Sequence, residues 1–111
     1  MADPSATLMR GLLEAFLLDR LSRSPRHGYA LLKELADLFG DEPNRNKIYP
    51  LLQKLEKEGY VEALAEGDGE GRPRTSYQLT EKGRDRLAEY RRMPRAFREA
   101  VARFWMEELR N

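Results

Sequence analysis

Four consecutive residues carry side chains suited to reading the bases of a nucleic acid: Asn44, Arg45, Asn46 and Lys47. Asparagine can form two hydrogen bonds with adenine and arginine can form two with guanine, so these residue types discriminate between bases. Lysine is a point charge without such a fork, so Lys47 and Lys54 are better suited to phosphates. The asparagines have an alternative role as helix caps. We therefore predict DNA contacts at these five positions, and capping by whichever asparagine begins the helix.

Two tyrosines and two arginines elsewhere extend the same chemistry. Tyr29 and Tyr49 carry hydroxyls that could bond phosphates, although core packing with only the hydroxyl at the surface is an equal alternative. Arg72 and Arg74 flank a proline beside a turn-rich segment, and an arginine there can enter the minor groove, where the potential is most negative. The alternative for this pair is exposure to solvent beside acidic neighbours. We predict that all four residues contact DNA.

The chain offers little for catalysis or metal binding. It contains no cysteine, which excludes disulfides, thiolate metal sites and thiol nucleophiles, and its one histidine, His27, cannot hold zinc alone. No serine, cysteine or carboxylate motif surrounds His27, so we expect it to pack at the entry of a helix. Gly67, Gly69 and Gly71 alternate with acidic residues that would repel phosphate. We predict that the protein is not an enzyme and holds neither a metal nor a cofactor.

Charge is distributed unevenly along the chain. The net charge is only +1 over 111 residues, but residues 43–57 hold four basic side chains against one acidic, and residues 81–111 hold nine against six. Residues 1–42, by contrast, are net acidic. A regional basic excess of this kind can face phosphates, with solvated helix faces as the alternative.

Apolar residues at helical spacing predict three helices in the first half of the chain. The first covers residues 6–22, and the second covers about 28–39, where Gly40 stops it. The third runs to Glu58, with Gly59 at its end. Its apolar residues follow an i, i+3, i+4, i+7 pattern: Ile48, Leu51, Leu52 and Leu55.

Pro50 limits where the third helix begins. A proline deep inside a helix removes one hydrogen bond and clashes with the preceding turn. Either Asn46 is the N-cap and Pro50 lies near the first turn, or Asn44 caps and the first turns are distorted.

A β-hairpin follows the third helix. Residues alternate with period two over 60–64 and again over 75–79, around the glycine-rich segment 66–73. Thr80 is then a suitable N-cap for a fourth helix. Pro94 interrupts the pattern, which leaves either one kinked helix or two helices in succession.

This order of elements predicts a mainly α fold with a small β-hairpin, in the α+β class. Three helices followed by a hairpin are the winged helix-turn-helix arrangement. We expect this DNA-binding domain to cover residues 1–80, with its recognition helix at about 44–58 and its wing at about 60–79. Residues 81–111 would form a C-terminal helical segment for dimerisation.

An apolar stripe in that segment supports its role in dimerisation. Its residues recur at helical spacing after Pro94: Phe97, Val101, Phe104, Trp105 and Leu109. Such a stripe is too apolar to face water on a small protein. We predict that it holds two chains together, with packing back onto the first helix of its own chain as the alternative.

Three stretches of sequence carry a family resemblance. They are His27-Gly28-Tyr29, the stretch that begins Ile48-Tyr49-Pro50-Leu51-Leu52 and continues to Val61, and the stretch from Gly71 to Gly83. In this order they resemble the PadR family of winged-helix transcriptional regulators, over about residues 8–90. The resemblance implies a dimer that represses nearby promoters. Family members usually carry small residues such as serine and glycine where this chain has residues 44–47, so no relative's operator can be transferred to it.

We therefore predict a sequence-specific transcriptional regulator, a PadR-like repressor that binds an inverted repeat in double-stranded DNA as a homodimer. Because some family members leave DNA on binding a small molecule, the resemblance also implies a small apolar or aromatic effector near Trp105. The alternative function is a winged-helix module for protein contacts that does not read DNA. No apolar run reaches the roughly 18 residues of a membrane span and the amino terminus shows no signal pattern, so we expect a cytoplasmic protein.

Overall fold

The computed structural model describes residues 4–40, 45–66 and 74–108, and the side chains of residues 4–9, 39 and 66 are not part of that description. The elements in chain order are α1 (Pro4–Arg23), β1 (Arg26–His27), α2 (Gly28–Phe39), α3 (Arg45–Lys57), β2 (Val61–Glu66), β3 (Arg74–Leu79), α4 (Glu81–Arg91), α5 (Arg95–Arg103) and a π-helical turn (Phe104–Glu108). A mainly helical chain with one small antiparallel sheet confirms the predicted fold class.

Three antiparallel strands form the sheet in the order β1-β3-β2. Strands β2 and β3 are the predicted hairpin and pair along their whole length. The third strand, β1, was not predicted: its residues Arg26 and His27 pair with Tyr77 and Ser76. A strand of two residues is too short to show alternation in the sequence. Its pairing places the start of α2 against the base of the wing.

One hydrophobic core joins α1, α2, α3, the sheet and α4. The side chains with almost no exposed surface are Leu17, Leu18, Leu31, Leu35, Ile48, Leu52 and Leu55. Fully burying one such side chain contributes roughly 1.5–3 kcal/mol. The four apolar residues of the predicted pattern in α3 are all buried. Their burial determines which side of this helix is exposed to solvent.

Helix α3 begins at Arg45 and continues through Pro50. Asn46 therefore lies inside the helix, and the alternative in which it is the N-cap is wrong. Pro50 has an exposed side chain and lacks the N–H that another residue would donate to the preceding turn. Capping by Asn44 stays a prediction, because this residue lies outside the described part of the chain.

The turn after α3 is joined closely to the first turn of α4. Thr80 caps α4 as predicted: its hydroxyl accepts a hydrogen bond from the Gly83 N–H at 3.0 Å and donates one to the Gly59 carbonyl at 2.6 Å. Gly59 has a φ of +86°, a left-handed conformation that favours glycine. A β-carbon at Gly83 would lie 2.1 Å from the backbone oxygen of Tyr60, so only glycine fits there.

A polar cluster fastens α4 to α1 as well. Arg86 Nε lies 3.4 Å from Glu14 Oε1, and the Tyr90 hydroxyl donates a hydrogen bond to Oε2 of the same carboxylate. Burial, followed by the contact with Glu14, raises the pKa of Tyr90 to about 12, so its hydroxyl keeps the proton at neutral pH. With Leu87 also buried in the core, α4 is held against α1.

Two helices in succession, rather than one kinked helix, follow the wing. Helix α4 ends at Arg91 and α5 begins at Arg95, with extended backbone at Pro94. Every described residue from 91 to 108 is exposed, so this segment contributes no side chain to the core. The alternative in which the apolar stripe packs back onto the first helix is therefore not what the structure shows.

Candidate nucleic-acid interface

Helix α3 presents an exposed ridge along its whole length. The four residues of this ridge lie opposite the buried side, at spacings i, i+4, i+7 and i+11: Asn46, Pro50, Gln53 and Lys57. Of these four residues, only Asn46 was predicted from the sequence to contact DNA. Gln53 and Lys57 could have been found by continuing the helical period outward from Asn46.

The first turn of α3 is exposed. Arg45, Asn46 and Lys47 are all exposed, so a ligand that meets this end of the helix can contact them. In helix-turn-helix proteins the first residues of the second helix meet base edges in the major groove. Asn44, the fourth residue of the predicted set, lies outside the described residues.

A groove beside α3 brings together three predicted residues from three different elements. Tyr29 of α2, Tyr49 of α3 and Arg74 of β3 all line it, and we call it the tyrosine groove. Ala30 and Thr75 line it as well, although neither was predicted. The pairing of β1 with β3 explains the convergence, because it holds the start of α2 beside β3.

The surroundings of the tyrosine groove favour an anion. Its described lining includes the cation Arg74 and no carboxylate. The first turn of α2 also lies here, and the amides of a first turn carry a partial positive charge. Tyr29 is 59% exposed, and Lys33 Nζ lies 5.8 Å from the centre of its ring. Lys33 was missed by sequence reasoning, but its position four residues after Tyr29 places it on the same side of α2.

Two tyrosines that line the groove, Tyr49 and Tyr77, are held by packing. Tyr49 is half-buried and lies against Gly28, the first residue of α2. Behind it, burial raises the pKa of Tyr77, with Glu56 and then Tyr49 adding to the effect, so Tyr77 carries no charge at neutral pH. The packing of Tyr49 agrees with the alternative of core packing, and a phosphate contact by its hydroxyl stays a prediction.

The wing contributes one described arginine. Arg74 is exposed and pairs across the hairpin with Glu66, at the end of the strands nearest the tip. Arg72, predicted alongside it, lies outside the described residues. Lys54, on the far side of α3, is about half exposed and its Nζ lies 3.8 Å from Glu58 Oε1. Exposed pairs at that separation are weak, so Lys54 remains available to a phosphate.

Beyond α4 lies an exposed apolar face. Phe97, Val101, Phe104 and Trp105 are each between 41% and 54% exposed. The rings of Phe104 and Trp105 contact each other with centroids 6.0 Å apart. Leu109, the last predicted member of the stripe, lies outside the described residues. No residue in the described part of the chain covers this face.

Across residues 4–40, 45–66 and 74–108, no three histidine or acidic side chains are grouped so that they could hold a metal ion. Among these same residues, no helix is both long enough and apolar enough to cross a membrane.

Comparison with known proteins connects this geometry to regulators of transcription. The family model described as "Transcriptional regulator PadR-like family" matches residues 17–89. A PadR family transcriptional regulator from Eggerthella lenta is 32% identical, with 93% of this chain and 89% of that chain covered and a TM-score of 0.73. A Streptococcus transcriptional regulator is 29% identical, with coverages of 86% and 93% and a TM-score of 0.73. A PadR-like regulator from Bacillus cereus is 25% identical, with coverages of 91% and 97% and a TM-score of 0.73. A search of curated proteins gave no match.

Proposed function

This chain belongs to the PadR-like family of transcriptional regulators, which bind DNA, and from that premise we propose that it is a repressor that binds an inverted-repeat operator as a homodimer. The observation that carries the proposal is the convergence of α2, α3 and the wing on the tyrosine groove. A helix-turn-helix protein inserts its second helix into the major groove, and phosphates then lie beside that helix. The tyrosine groove is where one such phosphate would lie.

The proposal gives each exposed residue of the interface a role. Arg45 and Asn46 contact base edges, because arginine and asparagine can each make two hydrogen bonds to one base. Lys47 and Lys54 contact phosphates. Asn44 joins the base-reading pair on sequence grounds alone.

The groove and the wing complete the assignment. Tyr29 and Tyr49 offer hydroxyls to a phosphate that approaches the first turn of α2. Arg74 approaches the minor groove from the tip end of the wing strands, and Arg72 does so on sequence grounds alone. The DNA-binding domain then covers residues 1–80.

Residues 81–111 form the dimerisation segment in this proposal. Helix α4 is held against α1, so its part is to fix where α5 starts. The exposed apolar face of α5 and the π-helical turn supplies the contact between chains. Its support is the exposure of Phe97, Val101 and Phe104, since large apolar side chains in one patch usually mark an interface. Leu109 extends the face on sequence grounds.

Trp105 has a second role in the proposal. A dimer interface built from aromatic side chains can admit a small planar apolar molecule between the chains. Trp105 is 49% exposed and touches Phe104, so such a molecule would find two rings to contact. An effector bound there would release the protein from DNA by changing how the two chains meet.

Selection of bound sequences from random duplex DNA tests the DNA-binding part of the proposal. We expect an enriched inverted repeat with half-sites about one helical turn, ~34 Å, apart. Affinity for that duplex should fall with salt by about 0.9 log units per neutralised phosphate for each tenfold rise. If no duplex is enriched, or binding does not respond to salt, the protein is better described as a module for protein contacts.

A further inference from the structure

A second groove lies on the other side of α3, between this helix and α1. Its lining includes three cations, Arg10 of α1 with Lys47 and Lys54 of α3, and we call it the arginine groove. Two buried leucines, Leu13 and Leu51, lie at its base. No described carboxylate lines it. Its charge therefore favours an anionic partner.

The two grooves lie on opposite sides of the exposed ridge. Lys47 and Lys54 are seven residues apart, which is close to two turns, so they share one side of α3. Tyr49 lies about 160° around the helix from Lys47. The ridge that contains Asn46 runs between them. Whatever contacts this ridge has an anion-binding surface on each side of it.

The dimensions of DNA suit an anion-binding surface on each side of α3. An α-helix with its side chains is about 10–12 Å across, and the major groove is about 12 Å wide. A helix in that groove therefore has one sugar-phosphate backbone on each side. The tyrosine groove would meet one strand, and the arginine groove would meet the other.

Arg10 is available for such a contact. Its side chain is exposed, and within the described residues it takes part in no hydrogen bond or ion pair. Among the residues that the structure describes, Lys54 makes one ion pair, the 3.8 Å contact with Glu58. Arginine also suits phosphate better than lysine does, because its planar fork can donate two parallel hydrogen bonds.

We propose that Arg10, with Lys47 and Lys54, forms a second phosphate-binding site for the DNA strand across the major groove from the one that meets the tyrosine groove. This inference rests on the proposed function, since it assumes that α3 enters the major groove. It extends the DNA-binding surface to α1, a helix outside the helix-turn-helix pair. Sequence reasoning gave Arg10 no role, because a lone arginine on an amphipathic helix resembles any solvated residue.

The variant Arg10→Gln tests the site with a duplex selected by the wild-type protein. Release of about 0.9 counterion at about 0.1 M salt is worth at most roughly eightfold in affinity. We expect Arg10→Gln to lose roughly three- to eightfold on the selected and on random duplex alike, and to lower the salt slope by about 0.9. Arg10→Lys, which keeps the charge, should retain most of the slope.

Arg23→Gln is the matched control. It removes the same charge from the same helix, about 20 Å further along, where Arg23 only pairs with Asp19 on the surface. An Arg10→Gln protein that binds like Arg23→Gln, with an unchanged slope, overturns the second site while leaving the DNA-binding function standing. Wild-type protein that binds no duplex overturns both.

Neutral methylphosphonate substitutions in the DNA locate the contact. Each phosphate is neutralised in turn, and the one whose neutralisation weakens wild-type protein but not Arg10→Gln is the partner of Arg10. The same comparison with Tyr49→Phe locates the partner of the Tyr49 hydroxyl. We expect the two phosphates to lie on opposite strands. The same strand and the same phosphate for both variants would contradict the two-sided arrangement.

Discussion

The ring of Tyr49 lies so close to Gly28 that a β-carbon added to Gly28 would sit 2.7 Å from Tyr49 Cε1. Two residues far apart in sequence thus define the inner wall of the tyrosine groove. The contact is made by the outer part of a side chain, so a larger residue at position 28 would displace the ring rather than prevent folding.

Gly28→Ala should therefore separate DNA binding from stability. We expect the melting temperature to change little while affinity for a selected duplex falls, because the Tyr49 hydroxyl is moved away from its phosphate. Tyr49→Ala should weaken binding similarly, and the double variant Gly28→Ala/Tyr49→Ala should be no worse than Tyr49→Ala alone. Additive losses in a binding titration would show that Gly28 acts independently of the ring.

The first turn of α3 should carry sequence preference. Arg45→Ala or Asn46→Ala should cost roughly 1–3 kcal/mol on the best site, if each side chain makes two hydrogen bonds to a base, and should cost little on random DNA. Lys54→Ala and Arg74→Ala should weaken binding to both and flatten the salt slope. Fluorescence anisotropy with the two duplexes at several salt concentrations measures these effects. Equal losses on both duplexes for the first pair would reassign base readout to other residues.

Removal of residues 94–111 should give a folded monomer. Every described residue after Arg91 is exposed, so the core is complete without this segment. Binding to an inverted repeat should weaken strongly, since two half-site contacts no longer act together. Sedimentation velocity measures the oligomeric state. The double variant Phe97→Ala/Phe104→Ala should also dissociate the dimer, and Arg98→Ala on the same helix should not; a truncated protein that remains a dimer would place the interface elsewhere.

Trp105 should report on an effector. It is the only tryptophan, so any change in tryptophan fluorescence comes from this position. We expect at least one planar apolar compound in a diverse panel to change that fluorescence and, in the same concentration range, to weaken DNA binding. Trp105→Phe should keep the dimer but lose the optical signal. If the panel changes neither fluorescence nor DNA affinity, Trp105 acts only as an interface anchor.

Tyr90 should make stability depend on alkaline pH. Its folded pKa of about 12 lies above the ordinary tyrosine value of about 10, so ionisation favours the unfolded chain. The contribution of this group is complete below pH 10 and is lost as the pH rises from about 10 through about 12. Tyr90→Phe should lose less stability over that window in denaturant unfolding. Glu14→Gln should lower the Tyr90 pKa in an NMR titration, and an unchanged value would show that burial alone sets it.

The sequence could predict the elements of this fold because most of them carry a periodic pattern. Helix α2 was predicted with its observed bounds, and Thr80 was identified as the cap of α4. Strand β1 could not be predicted, since its two residues form a strand only by pairing with β3. The start of α3 was left between two alternatives, because capping and proline rules pointed to different residues.

The residues of the candidate site also include some that the sequence could predict and some that it could not. Residue type alone singled out Tyr29, Tyr49 and Arg74, and the structure brings these three to one groove. Arg10 was not singled out, because its significance depends on α1 lying beside α3, a tertiary contact with no local signal. Local chemistry can nominate single residues, whereas a surface shared by two helices appears only after they pack.

Helix α4 is tied at its first turn to the turn after α3, through Thr80 and Gly83, and near its last turn to α1, through Tyr90. Because it is held at both ends, α4 cannot rotate relative to the rest of the domain. In the proposed dimer, the remaining freedom between one recognition helix and the other belongs to residues 92–94 and to the contact between chains. The distance between half-sites is then set by that three-residue connection together with the contact between chains. Relatives that prefer a different operator spacing would be expected to differ there, even when their recognition helices agree.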